Sequence, residues 1–220
     1  MKLDPIVLQF LRDLVVNNHR EWFHDNKAYY DRAKEAFESF VIAQMDAIAQ
    51  FDEQVKGLKA KDCTFRIHRD IRFSQDKTPY KIHFGAYMAK DGRKSLNAGY
   101  YTHIEPDGSL LAGGLHMPSK ELLAKVRMAI YTHPEAFKGI INRPKFKQHF
   151  PEIYGEKLKG APRGFNKDFE DIDLIKYQSY DFFKMISDDE LISDDYFAQS
   201  IESFKILKPL NDYFNQVLSK

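Results

Sequence analysis

Cationic and imidazole side chains are concentrated between residues 66 and 83, and this stretch is the part of the sequence best suited to chemistry. In an extended chain, alternation places Arg66, His68 and Arg72 on one face, and a second extended segment puts Lys81 and His83 on a common face. Because like charges repel, such a cluster is most stable beside an anion, and arginine binds phosphate or carboxylate bidentately. The stretch therefore predicts a site for a small anionic ligand, with five cationic contacts: Arg66, Arg69, Arg72, Lys77 and Lys81.

Three histidines extend this prediction toward catalysis. Histidine titrates near neutral pH, so His68, His83 and His116 are candidates for general acid–base work if the site belongs to an enzyme. His116 follows a glycine pair at residues 113–114 and precedes a predicted helix, whose N-terminus favours an anion. A cationic loop at residues 159–165 adds Arg163 to the predicted ligand-binding residues. Whether the site is catalytic stays open.

Other interpretations of the same residues also stay open. Asp70 and Asp76 can neutralise much of the positive charge, so a solvated face with internal ion pairs is the main alternative. A non-catalytic module can use the same patch to bind an acidic protein surface or nucleic acid. The third interpretation is a histidine-bound metal site, because four histidines fall on different predicted strands or strand ends and can converge: His68, His83, His103 and His116. No histidine pair has the spacing of a helical zinc site, so no residue is assigned to a metal.

Polar residues also surround the only tryptophan, Trp22, at the predicted junction of two helices. Asn18 and Glu21 have the spacing of a capping box, in which each side chain satisfies a backbone N–H group near the other residue. Glu21 can instead pair with an arginine of the sheet and hold it in place.

The composition limits the classes of protein that need to be considered. The 220 residues carry a formal charge of only +1, which argues against a protein dedicated to nucleic acid, although a local basic patch is compatible with that total. Cys63 is the only cysteine, so an intrachain disulfide is impossible. The N-terminus lacks a basic region and a cleavage site, and no window has the ~20 apolar residues that span a bilayer. We therefore expect a cytoplasmic protein with no membrane segment. The sequence has no Walker loop and no dinucleotide-binding glycine motif, so it identifies no cofactor.

The elements that position these residues change in type along the chain. Apolar residues at helical spacing predict a helix over residues 6–17 and a longer one over residues 21–51, with an interruption near Asp25-Asn26. Period-two patterns and glycine or proline turns then predict short strands. Strands are predicted at residues 65–73, 82–88, 98–105 and 109–116, and further helices at 120–131, 134–141, 194–207 and 210–218.

This order of elements predicts the fold class. A hydrophobic fraction of 43% is enough for a sizeable core, and an aromatic fraction of 14% predicts a core rich in large flat rings. Helices before and after a run of short strands indicate one α+β domain over residues 1–220, an antiparallel β-meander packed against N- and C-terminal helices.

Five stretches between residues 17 and 165 form a pattern that goes beyond composition. The most specific is RDIRFSQDKTPYKIHFG at residues 69–85, since several unusual residues recur in order. The others are NNHREWFHDNKAYY, GYYTHIEPDG, GGLHMP and LKGAPRGF. In these stretches the chain resembles a bacterial protein family known as domain of unknown function 2461. The resemblance implies that the motifs belong to one domain, and it implies no activity, substrate or cofactor.

Overall fold

The architecture is α+β, as the sequence predicts, with helices at both ends of the chain. The computed structural model describes residues 1–219. Its α-helices are α1 (Ile6–Val16), α2 (Arg20–Asp25), α3 (Lys27–Ile48), α4 (Ala60–Cys63), α5 (Lys120–Thr132), α6 (Pro134–Ile141), α7 (Pro144–His149), α8 (Ile172–Ile175), α9 (Asp188–Ile192) and α10 (Tyr196–Leu218). Short 3₁₀ helices occupy Glu53–Val55 and Gly92–Lys94. None of the helices in residues 1–219 combines the length and apolar character that crossing a bilayer requires.

The strands are β1 (Phe84–Met88), β2 (Gly99–Ile104), β3 (Leu110–Leu115) and β4 (Tyr180–Met185). They form one antiparallel sheet in the order β1-β2-β3-β4, which confirms the predicted meander for β1 to β3. The turn between β2 and β3 places Asp107 at φ 58°, a left-handed conformation that aspartate tolerates better than most residues. A helical connection from α5 to α8 then leads to β4.

The chain divides into two compact units, each assembled from three separate segments. Unit 1 consists of Met1–Lys94, Tyr101–Leu111 and Met185–Glu202. Unit 2 consists of Ser95–Tyr100, Ala112–Lys184 and the chain from Ser203 onward. The chain therefore passes repeatedly between the units, and no single cut in the sequence separates them. One domain over residues 1–220 stays a prediction.

Aromatic rings fill the core of unit 1, as the composition predicts. The Phe10 ring of α1 lies 5.3 Å from Tyr29 and 6.1 Å from Phe84 of β1, and Phe37 of α3 stacks on Phe84 at 5.3 Å. Aromatic rings bury large apolar areas, so these contacts help to hold α1 and α3 against β1. Because side chains alternate along a strand, the residues next to Phe84 project to the opposite face.

A buried polar group joins three segments of unit 1. Gln44 of α3 donates from Nε2 to Ser200 Oγ at 3.0 Å, and its Oε1 accepts from Thr102 Oγ1 at 2.8 Å. All three residues are fully buried. Buried polar groups of this kind are stable because each finds a partner. The contacts also fix β2, since Thr102 lies on its core-facing side.

In unit 2, the glycine pair at residues 113–114 allows a close approach between two backbone segments. Gly114 has φ 103°, and a Cβ at this position would lie 2.1 Å from the Tyr180 carbonyl oxygen. The Gly114 N–H donates to Asn211 Oδ1 at 3.0 Å. Only glycine fits this conformation and this spacing.

The predicted strand over residues 65–73 is wrong. Antiparallel bridges join Thr64 to Ala86 and His68 to Tyr80, but these positions are four residues apart on the first segment and six on the second. The extra residues interrupt the ladder, so strict alternation does not hold through this region.

Two more departures concern the C-terminal part of the chain. β4 was not predicted, because the run YDFFKM places Phe182 and Phe183 side by side and so lacks strict alternation. The predicted helix break at Pro209 is also wrong, since α10 runs through this residue. Proline removes one helical hydrogen bond, but the fully buried Leu207 and Leu210 on either side hold the helix in place.

Candidate functional site

Two histidines and a glutamate meet on the face of unit 1 opposite its aromatic core. His83 directly precedes β1, His103 lies in β2 and Glu105 directly follows β2. Their donor atoms all lie within 4.8 Å of one another, and we call these three residues the His83 cluster. His103 Nε2 is 2.7 Å from Glu105 Oε2, and His83 Nδ1 is 3.9 Å from the same oxygen. The side chains are between 13% and 28% exposed, so a small ligand or ion can reach them.

His103 makes a contact through each ring nitrogen. Nδ1 lies 2.9 Å from the Tyr101 hydroxyl, and Nε2 lies 2.7 Å from Glu105. A carboxylate can only accept, so in the neutral imidazole Nε2 donates to Glu105 and Nδ1 accepts from the hydroxyl. The tyrosine hydroxyl can also accept, so it suits the opposite tautomer equally well. In that tautomer, however, the Nε2 lone pair would point at a carboxylate, and only a cation between them would relieve the repulsion.

His83 is a neutral imidazole at neutral pH. Burial, together with the neighbouring His103 and Lys81, lowers the pKa of His83 to about 4. The 3.9 Å approach of His83 to Glu105 is therefore not an ion pair at neutral pH, although the distance alone would allow one. A neutral imidazole has a lone pair available to accept a proton or bind a cation.

Tyr101 lies across β1 because Gly85 leaves room for it. A Cβ at Gly85 would lie 2.5 Å from the Tyr101 hydroxyl oxygen and 3.2 Å from two ring carbons. The Tyr101 and Phe65 rings also pack edge to face, with their centroids 6.3 Å apart. Burial, with a contribution from Glu105, raises the pKa of Tyr101 to about 12, so its hydroxyl keeps its proton.

Lys81 and Arg66 are the cations associated with this face. Lys81 Nζ lies 5.6 Å from the centre of the Phe65 ring. Burial lowers the pKa of Lys81, and the positive charge of Arg66 lowers it further, so the two cations are within electrostatic range of each other. The positive charge of Lys81 also contributes to the lowered pKa of His83. Within residues 1–219, neither Lys81 nor Arg66 forms an ion pair; Asp70 is within electrostatic range of Arg66, but its carboxylate is bonded to Arg72.

Two other predicted cations are bonded to carboxylates of their own loop. Arg69 donates to Asp76 and to Thr78, and Arg72 donates to the two oxygens of Asp70 at 2.9 and 2.7 Å. Hydrogen bonds from Thr78 and Arg69 lower the pKa of Asp76 to about 2. The main alternative prediction is a solvated face whose cations form internal ion pairs. Arg69 and Arg72 form such pairs.

Lys77 lines an open cavity of about 490 Å³ in unit 1 and donates from Nζ to the Ile71 carbonyl at 3.0 Å. The lining residues are Asn18, His19, Arg20, Glu21, Ile71, Lys77, Thr78 and Pro79. The cavity thus brings the polar residues near Trp22 next to the predicted anion-binding loop. Its lining contains no member of the His83 cluster.

Asn18 connects this helix junction to the chain before β1. Its Nδ2 donates to the Tyr80 carbonyl at 3.0 Å, and its Oδ1 accepts from the Tyr80 N–H at 3.1 Å. The N-cap of α2 is His19, whose side chain accepts from the Trp22 N–H. The predicted capping box of Asn18 and Glu21 is therefore wrong. Glu21 is 94% exposed and lies 3.9 Å from His19 Nδ1.

His68 lies in an aromatic setting. Its ring is 5.8 Å from Phe23 and 5.3 Å from Tyr80, with edge-on geometry in both cases. His68 and His83 are thus both in unit 1, but only His83 joins the cluster.

His116 and Arg163 belong to unit 2. His116 Nδ1 lies 3.1 Å from Asp181 Oδ2, and this hydrogen bond raises the pKa of His116. The same carboxylate oxygen accepts from Ser179 Oγ at 2.8 Å. Arg163 is exposed on its loop.

Comparison with known families gives one result that covers nearly the whole chain. A family profile described as conserved hypothetical protein (DUF2461) matches residues 6–213. The chain belongs to this family. The match confirms the resemblance seen in the five sequence stretches, and both the His83 cluster and Lys81 fall within the matched residues. No curated protein and no solved structure matches the chain.

The sequence of this DUF2461 chain contained a signal for the cluster that the predicted site residues left out. Period two over residues 98–105 places Tyr101, His103 and Glu105 on one face of a strand. The sequence predictions include His103 only as one of four histidines that can converge, and they do not include Glu105. Strand adjacency and register, which bring His83 to this face, are properties of the folded sheet.

Proposed function

We propose that the protein binds a small anionic ligand, a phosphate or carboxylate compound, on the face of unit 1 beside the His83 cluster. Arg66 and Lys81 are its cationic contacts. One observation carries the proposal: Lys81 Nζ lies over the Phe65 ring, and neither Lys81 nor Arg66 forms an ion pair within residues 1–219.

The electrostatics of this pair differ from those of the neighbouring arginines. Arg69 and Arg72 each have a carboxylate, so they have less to gain from an external anion. Lys81 is half-buried and its charge is opposed by Arg66, an arrangement that destabilises the charged form. An anion held between two cations relieves this repulsion and forms charge-assisted hydrogen bonds with both.

A catalytic role at this site would fall to His83. Its imidazole is uncharged, and Lys81 is within electrostatic range of it. A neutral imidazole next to a bound anion can accept a proton from that ligand. Binding does not depend on this step, so the two properties can be tested separately.

Thermal unfolding in the presence of inorganic phosphate tests the binding proposal. The full chain is compared in phosphate and in chloride at equal ionic strength, with a chelator present to remove metal ions. We expect phosphate to raise the Tm of the natural sequence. Lys81→Gln and Arg66→Gln, which keep part of each aliphatic stem, should each lose most of the shift.

Arg72→Gln is the matched control, because it removes a guanidinium that is already bonded to Asp70. This variant should keep the phosphate-induced shift. If Lys81→Gln and Arg66→Gln both retain the full shift, or if neither phosphate nor a dicarboxylate stabilises the natural sequence, the proposed site is wrong.

A second candidate function is a non-catalytic module that binds an acidic protein surface. Phe73 favours it, because this ring is 95% exposed and Arg72 lies 5.9 Å from its centre. NMR titration with poly-glutamate distinguishes the two candidates. Amide shifts confined to residues 70–77 would favour the module, whereas shifts centred on Arg66 and Lys81 would favour the small-ligand site.

A further inference from the structure

We infer that His83, His103 and Glu105 form a binding site for a divalent transition-metal ion of the zinc or iron(II) class. The site lies in unit 1, and its three donors come from two paired strands and their ends. The inference does not rest on the proposed anion binding, because Arg66 and Lys81, the proposed anion contacts, are not among the metal ligands.

The donor set selects the class of ion. Imidazole nitrogen suits zinc, iron, nickel and copper, whereas magnesium and calcium prefer oxygen ligands alone. Two histidines and one carboxylate with open positions are the ligands of catalytic zinc sites and of non-haem iron(II) sites. A pair of imidazoles within reach of one carboxylate therefore indicates a transition metal rather than an alkaline-earth ion.

The distances between donors are close to those that a metal requires. With metal–ligand bonds of roughly 2.1 Å, neighbouring donors of a tetrahedral or octahedral ion lie about 3.0–3.4 Å apart. The observed separations from Glu105 Oε2, 2.7 Å to His103 Nε2 and 3.9 Å to His83 Nδ1, fall on either side of this range. All donor atoms lie within 4.8 Å of one another, so the side chains have to close by less than about 2 Å to reach a common centre.

Tyr101 is the outer partner that such a site needs. A metal-bound histidine usually donates its second ring N–H to an acceptor, which fixes the tautomer and the ring orientation. When His103 binds through Nε2, its proton moves to Nδ1 and is donated to the Tyr101 hydroxyl oxygen, 2.9 Å away. The ion then takes the place of the proton between Nε2 and Glu105, and no net charge is left on the imidazole.

The site would keep open coordination positions. Three protein ligands leave at least one position of a zinc ion for water or another ligand. All three side chains are partly exposed, so solvent can reach the ion.

Calorimetric titration of the untagged full chain, stripped of metal with a chelator, tests the inference. We expect one equivalent of zinc to bind and magnesium to give no heat of binding. Cobalt(II) should bind at the same site and show the visible absorption of a low-coordinate ion with nitrogen and oxygen ligands. The probe in each case is the metal alone, so the result does not depend on any substrate.

Three variants assign the binding to these residues. His103→Ala should abolish stoichiometric binding, and Glu105→Gln, which keeps the shape of the side chain, should weaken it at least tenfold. Tyr101→Phe should weaken zinc binding by about 10- to 100-fold, the usual effect of losing an outer partner, and should change the cobalt spectrum. His24→Ala, at an exposed histidine of α2, is the control and should bind zinc normally.

Circular dichroism and unfolding curves show whether each variant is folded, and Glu105→Gln provides a second test if His103→Ala is not. Zinc affinity that is unchanged in a folded His103→Ala or Glu105→Gln variant would overturn the inference, as would the absence of stoichiometric binding in the natural sequence. The anion proposal is tested with a chelator present, so its failure would leave this result untouched.

Discussion

Gly85 of β1 and Tyr101 of β2 approach so closely that a Cβ on Gly85 would lie 2.5 Å from the tyrosine hydroxyl oxygen. The same hydroxyl is hydrogen-bonded to His103 Nδ1. Because Gly85 has no side chain, the Tyr101 hydroxyl can lie over β1. In this position the hydroxyl orients His103 of the cluster.

Gly85→Ala should disturb both the fold and the site. The methyl group must displace the Tyr101 ring, and overpacking of this kind costs about 1–3 kcal/mol of unfolding free energy. Because the hydroxyl moves away from His103, zinc affinity should fall about 10- to 100-fold as well. Urea unfolding and calorimetric zinc titration measure the two effects.

A double-mutant cycle with Tyr101→Phe identifies the contact that is responsible. Removing the hydroxyl removes the atom nearest to the added methyl group, so Gly85→Ala should cost less in the Tyr101→Phe background than in the natural sequence. Equal costs in the two backgrounds would show that the contact with the Tyr101 hydroxyl is not what limits position 85.

Gln44→Ala should be among the most destabilising single changes in unit 1. It leaves the hydroxyls of Thr102 and Ser200 without their amide partner and creates a cavity, for a combined cost of about 2–4 kcal/mol. Urea unfolding measures the loss. Gln50→Ala is the matched control, since Gln50 is exposed and bonds only within its own helical turn, and it should change the unfolding free energy by about 0.5 kcal/mol or less.

Asn18→Ala should loosen the chain before β1. It removes two hydrogen bonds to the Tyr80 backbone, at an expected cost of about 1–3 kcal/mol, and should increase amide hydrogen exchange at Tyr80. Asn17→Ala, whose side chain bonds to Asp13 at the end of α1, should leave exchange at Tyr80 unchanged. Unaltered protection of Tyr80 in Asn18→Ala would contradict the proposed link.

The loop that carries Arg69 should lose stability in acid. Thr78 and Arg69 lower the pKa of Asp76 from 3.8 to about 2, so the stabilising contribution of this carboxylate is fully present above pH 3.8 and is lost as the pH falls through 2. Asp76→Asn should therefore have a lower Tm than the natural sequence at neutral pH, and the difference should shrink toward pH 2. A Tm difference that is constant over this range would show that ionisation of Asp76 does not stabilise the fold.

The sequence was informative wherever local pattern determines structure. Helical spacing predicted α1 and α5 closely, and period two with turn residues predicted β1, β2 and β3. It failed between residues 65 and 73, where the two paired segments differ in length and the alternation breaks. It also failed at Pro209, where buried leucines on both sides keep α10 continuous.

The candidate site was only partly predictable for a related reason. Residue type identified Lys81, Arg66 and His83, but charge alone could not show that Arg69 and Arg72 are bonded to Asp76 and Asp70. The His83 cluster depends on the pairing of β1 with β2, which no local pattern encodes.

A crystal structure of the untagged chain grown with zinc and phosphate, with data collected at the zinc absorption edge, tests the central claim most directly. We predict an anomalous peak bonded to His83, His103 and Glu105 at roughly 2.1 Å, and phosphate density within hydrogen-bonding distance of Lys81 and Arg66. Zinc and phosphate bound only elsewhere, with Nε2 of His103 still donating to Glu105, would contradict the assignment of this face as the functional site.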